Sequence, residues 1–135
     1  MKLSEALYRT VVNWDDVPED VIRPGVRRRV YSTDEVMLCW HSLSVGMDLR
    51  PHSHADFDQL AMILAGEADY YVDGVPHRMT AGSMLLVPAG AEHYIQPLTE
   101  PCINLDVFAP PRADYADIAR KLTDEDNSAG PRGAS

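Results

Sequence analysis

Two stretches of the chain repeat one pattern, and that pattern leaves few folds open. The first runs from Gly46 to Gly66 and carries His52-Ser-His54, then Gln59, then the apolar run Leu60 to Ala65, which reads as a buried strand. The second begins at Gly82 with the apolar run Met84 to Val87, turns at Pro88-Ala-Gly90, and reaches His93 at the start of another strand-like segment, Tyr94 to Pro97. Each unit is a short strand with a glycine- or proline-marked turn and a histidine beside it. On an extended backbone, side chains two residues apart point the same way, so His52 and His54 share one face. Short strands at such spacing predict an all-β sandwich or barrel.

His52, His54, His93 and Gln59 together offer three imidazoles and one side-chain oxygen. That set suits a divalent transition metal: nickel, zinc, manganese, iron or cobalt, among which the sequence does not choose. The plainer alternative makes all three ordinary turn histidines. Three of the chain's five histidines at these spacings favour a shared site.

The rest of the chain bounds the class. Its 135 residues predict one domain with a core of its own. A formal net charge of −9 argues against nucleic acid and anionic membrane as partners. An anionic small substrate would then need local positive charge, and a bound metal is one source. No secretory signal and no apolar run of ~20 residues is visible, which points to a soluble cytoplasmic protein. Cys39 and Cys102 fit no metal or redox spacing and read as small buried residues.

Residues 1–25 read as an N-terminal arm, with Ser4 capping a short helix to about Val11 and Trp14 packing the arm onto the barrel. Arg27-Arg28-Arg29, between Val26 and Val30, reads as an edge strand. Val36 to Leu43 is a strand in which His41 is structural. Glu67 to Val72 and Val75 to Met79, joined by Asp73-Gly74, form a hairpin with His77 at its surface. The spacing of Tyr115, Ile118, Ala119 and Leu122 predicts a helix over 113–122. Residues 123–135, rich in Asp, Ser, Gly and Pro, read as a disordered tail, with Asp124-Glu125-Asp126 solvated.

The stretch Pro101 to Arg112 leaves two readings open. On a strand, Cys102, Asn104, Asp106 and Phe108 share one face, and Ile103, Leu105 and Val107 the other. The polar face is either solvent, as in any half-exposed strand, or the wall of an inner pocket. In the second case Asp106 is an acid/base group, Phe108 a wall, and Arg112 a guanidinium for a carboxylate.

The two histidine-bearing stretches, with Gly46, His52, His54, Gln59, Gly66, Gly82, Pro88, Gly90 and His93 in place, resemble the paired motifs of the cupin superfamily. The resemblance implies a single-domain jelly-roll barrel over residues 26–112, with the arm before it and the short helix after it. Glutamate usually stands where this chain has Gln59. The run Asp106-Val-Phe108-Ala-Pro-Pro-Arg112, taken with that ligand set, is similar to the KdgF family of small cupins, which linearise unsaturated monouronates. That resemblance implies Gln59 as fourth metal ligand and Asp106, Phe108 and Arg112 as active-site residues. It also implies a small anionic substrate, a carboxylate sugar. Other metal-dependent cupin chemistry on a small acid (dioxygenase, lyase or isomerase), a non-catalytic acid-binding cupin and a metal-free structural cupin are the alternatives. The basic strand and the arm point to a homodimer with exchanged strands.

Overall fold

The computed structural model describes residues 2–124; the predicted disordered tail from 125 onward lies outside them. Among the described residues, nine strands form two antiparallel sheets. The larger takes β1 (Glu19–Arg23), β2 (Val26–Ser32), β3 (Met37–Leu43), β9 (Ile103–Phe108), β4 (Gln59–Ala65) and β7 (Met84–Val87), in that spatial order. The smaller places β5 (Glu67–Val72) between β6 (Val75–Thr80) and β8 (His93–Pro97). The sheets close over a core in which Val26, Leu43, Ala61 and Ile63 from the first meet Ala68, Tyr70 and Met79 from the second. This is the jelly roll predicted from the motifs.

Local chemistry sets the turns. The hairpin β5–β6 closes through Asp73 and Gly74, both left-handed at φ 48° and 80°, with Val72 directly opposite Val75. Such a two-residue turn needs two positive φ values, which Asp-Gly tolerates. Gly66, between β4 and β5, has φ +81°, and a Cβ there would collide with the Pro101 carbonyl. No other residue fits that position without moving the backbone.

Four expectations need correction. First, residues 19–23 of the expected arm form β1, so β2 lies inside the sheet, not at its edge. The basic run meets acids across the ladder: Glu19 lies 3.8 Å from Arg27 and 3.1 Å from Arg29, and Asp20 lies 3.6 Å from Arg28. Opposite charges on facing strands supply the pairing that the arginines alone do not reveal. Second, the first helix, α1 (Leu3–Leu7), stops well short of Val11, and Ser4 sits inside it. Asp34 does the capping, its carboxylate accepting the Leu3 and Ser4 amides at 3.0 Å each. A cap 30 residues away in sequence leaves no local signature. Third, the run Leu60 to Ala65 is not buried on both sides. Gln59, Ala61 and Ile63 face inward, while Leu64 is exposed. Fourth, the C-terminal helix is split into a 3-10 turn, Ala113–Tyr115, and a short α2 (Ala116–Arg120).

Trp14 packs as predicted, 6.3 Å from the Trp40 ring, beside a small cluster of Leu7, Val17 and Leu122. Strand β9 decides between the two readings of Pro101 to Arg112. Cys102, Asn104, Asp106 and Phe108 are all buried, and the alternate residues are half-exposed. The polar face points inward. Among the described residues, no helix is long and apolar enough to cross a membrane.

Candidate metal centre and acid pocket

His52 and His93 come together through the backbone. They form an isolated antiparallel bridge, with His52 N–H donating to the His93 carbonyl at 3.1 Å and His93 N–H to the His52 carbonyl at 2.8 Å. His54 follows two residues on, and its carbonyl accepts the Gly90 amide at 2.7 Å. Thus the Pro88-Ala-Gly90 turn of one motif is tied to the His-x-His of the other. The three rings stand 4.3 to 5.3 Å apart between centroids. One nitrogen from each lies within 4.8 Å of the other two.

The hydrogen bonds orient these rings. The Nδ1–H of His52 donates to the Arg50 carbonyl at 2.8 Å, and that of His93 to the Ala91 carbonyl at 3.0 Å. A carbonyl only accepts, so both rings carry the proton on Nδ1 and leave Nε2 with a free lone pair. The Nε2 atoms of His54 and His93 are buried without a hydrogen-bond partner. Orphaned buried nitrogens are costly unless something else meets them. Burial holds the His54 pKa down to about 4, helped by Arg112 and the neighbouring histidines. Burial also lowers His93, against the opposing pull of its bond to Ala91. Both stay neutral near pH 7, the form that ligates metal.

Gln59, at the inner start of β4, donates its Nε2–H to the Tyr70 hydroxyl at 3.0 Å. Its Oε1 is the atom left over. Tyr70 is itself buried, and that burial raises its pKa well above the ordinary value, so it remains a phenol. Three imidazoles with free lone pairs and one amide oxygen fit a divalent cation that accepts nitrogen and oxygen donors.

Beside this centre lies a cavity of about 180 Å³ whose lining includes His52, Gln59, Asp106, Phe108 and Arg112. His54 and His93 are joined to it through His52, the member of the cluster that lines it. The six residues that sequence and resemblance pair with Asp106 are therefore brought to one place. Asp106 is held through one oxygen: Oδ1 accepts from Asn104 Nδ2 at 3.0 Å, while Oδ2 lies 3.6 Å from His41 Nδ1, which has no hydrogen-bond partner. Phe108 is fully buried and meets the Phe57 ring edge-on at 5.2 Å. Arg112 is less free than the resemblance implies. Its Nε and Nη2 donate to the exposed Asp114 at 3.0 and 2.7 Å, and its guanidinium lies over Tyr115, Phe108 and Phe57 at 3.8, 5.1 and 5.4 Å. Nη1 makes no hydrogen bond among the described residues.

Sequence reading missed several neighbours. His41 was assigned a purely structural place, yet it lines the cavity and faces Asp106. Its partners, Arg28 on β2 and Asn104 on β9, lie in register with it but at long sequence distance. Phe57 stacks on His54 at 4.8 Å. Cys39 lies opposite Asp106 on β3; burial, then Asp106, pushes its thiol up to about 12, which makes it an inert filler.

Residues 40–108 match the model of the cupin domain, and the chain belongs to the cupin family. Within that family it is similar to the pectin degradation protein KdgF of Dickeya dadantii (strain 3937), 28% identical over 103 residues, which cover 75% of this chain and 93% of the relative. The structure of KdgF from Halomonas sp. superposes with a TM-score of 0.70 at 23% identity, over 76% of this chain and 94% of that one. An RmlC-like cupin from Shewanella frigidimarina NCIMB 400 gives 0.66 at 25% identity, over 78% and 94%.

Proposed function

We propose that this cupin is a metal-dependent enzyme that opens the ring of a 4,5-unsaturated monouronate to the linear 5-keto sugar acid. The observation that carries the proposal is a buried carboxylate, Asp106, lining the same cavity as Gln59 and His52 of the three-histidine cluster. The similarity to KdgF supports the choice of substrate.

His52, His54, His93 and Gln59 would hold the metal. Because all four are neutral, a divalent ion keeps its full charge and supplies Lewis acidity and attraction for a carboxylate. Arg112 offers Nη1 to the same acid. Phe108 lines the pocket, with the Phe57 ring edge-on behind it. Asp106 takes the proton from the C1 hydroxyl as the bond from C1 to the ring oxygen breaks. C1 becomes an aldehyde, and the electron pair passes through the ring oxygen and the C4–C5 double bond. Asp106 then returns the proton to C4, and C5 becomes the ketone. Atoms balance without an oxidant, so the reaction is an isomerisation. Asn104 fixes the carboxylate's orientation throughout.

We also propose a homodimer. Its support is the outer face of β4 and β7, where Leu64, Met84 and Leu86 are 42%, 65% and 61% exposed. A sedimentation profile of a monomer at micromolar concentration would overturn this part. For the activity, the purified protein is loaded with a divalent metal and mixed with unsaturated galacturonate. Loss of the conjugated-alkene ultraviolet absorbance, faster than in a chelator-treated control, is the expected result; equal rates refute the ring-opening reading.

A further inference from the structure

The chain carries a net charge of −9, yet its cavity is lined by three arginines, Arg23, Arg28 and Arg112, and one carboxylate, Asp106. Arg112 belongs to the centre already described. The other two belong to β1 and β2 and have no role there. Arg23 lies opposite Val26, and Arg28 is two residues further along on the same face, so the pair are diagonal neighbours. The Nε of each is buried without a hydrogen-bond partner.

Their existing partners are weak. Arg28, with a side chain 15% exposed, lies 3.6 Å from Asp20 and 4.9 Å from the centroid of the Tyr115 ring, and donates no hydrogen bond among the described residues. Asp20 is nearer to Lys121, at 3.0 Å. Arg23 reaches the Asp48 carbonyl at 3.4 Å. His41, in register with Arg28, reports the same field: burial lowers its pKa, and Arg28, Arg112 and Arg23 push the same way against Asp106 alone. Guanidinium forks with spare donors, in a cavity of about 180 Å³, are built for an oxyanion.

We propose that the pocket takes a uronate that bears a second anionic group on a carbon other than C1, with the uronate carboxylate at the His52–Gln59 end and the second group between Arg23 and Arg28. This rests on the reading of the metal end as a carboxylate site and narrows its substrate class. The second group is a carboxylate or a phosphate ester, which the guanidinium pair recognises alike.

The test is calorimetric titration of the zinc-loaded full chain with three non-reacting probes: galacturonate, 2-O-carboxymethyl-galacturonate and galacturonate 2-phosphate. The last two add a carboxylate or a phosphate on the same oxygen and leave the C1 hydroxyl and the ring intact. At least one binds about tenfold tighter than galacturonate, roughly 1.4 kcal/mol, and whichever gains more names the group. The ratio falls to near one in Arg28→Gln and in Arg23→Gln. Arg28→Lys, which keeps the charge and loses the fork, retains part of it and guards against a folding defect. No preference in the native protein, or a preference intact in both glutamine variants, overturns the proposal. The unsaturated galacturonate assay runs on the same samples. An inactive protein with the dianion preference refutes the ring-opening reading alone, and an active one without it refutes the second site alone.

Discussion

Asp106→Asn changes charge and proton capacity at the pocket while leaving shape almost untouched. The asparagine Oδ1 can still accept from Asn104, now 3.0 Å from the carboxylate. A hydrogen bond to a charged acceptor contributes ~1.5–3 kcal/mol and a neutral one ~0.5–1.5, so the exchange loses about 1 kcal/mol. Relief from burying a carboxylate that is only 7% exposed offsets part of that loss. The variant should therefore melt within about 5 °C of the native chain. Activity is another matter. A single acid/base group contributes ~10²–10⁴-fold, which corresponds to ~2.7–5.5 kcal/mol of barrier. The assay is the fall in ultraviolet absorbance of unsaturated galacturonate under metal-loaded protein, with metal content measured on the same sample. A hundredfold or greater fall in kcat, at equal metal content and near-equal melting temperature, is the expected outcome. Full turnover by the asparagine variant would refute the acid/base assignment, because no other carboxylate among the described residues lines the cavity.

Gln59→Glu turns the ligand set from neutral to anionic and halves the net charge of a bound divalent ion. Metal should be retained longer against chelator, while KM for the acid rises roughly tenfold, about 1.4 kcal/mol; an unchanged KM would show that Gln59 does not set the charge of the centre. His41 has a folded-state pKa below its ordinary 6.5, from burial first. The unfolded chain thus binds its proton more readily, so this contribution to stability is present above pH 6.5 and declines as pH falls below it, by at most ~1.4 kcal/mol per pH unit. Urea unfolding between pH 5 and 7.5 should show a shallower decline in His41→Gln, and an identical slope would sink the assignment. Gly66→Ala forces a side chain into φ +81° against the Pro101 carbonyl. It should cost at least ~2 kcal/mol in chemical denaturation, and a neutral effect would mean that the β4–β5 turn relaxes freely.

The sequence by itself determined what depends on local pattern. Period-two alternation, the Asp73-Gly74 turn and the glycine-marked strands are written in neighbouring residues, and they were enough for an all-β sandwich or barrel; the resemblance to the cupin motifs chose the barrel. The His52–His54 pair was legible for the same reason, since two residues on one strand share a face. Tertiary structure alone decided which face of β9 turns inward, because alternation has no sign until the opposite sheet is in place. It also decided that Asp34 caps α1, that β1 covers β2, and that His41 faces Asp106. The first and last of those contacts join residues far apart in the chain, which no local propensity records, while β1 and β2 are neighbours whose pairing rests on charges that meet only across the ladder. The three arginines of an acidic chain became a cavity lining for that reason too: strand register, not spacing in sequence, is what brings their charges together.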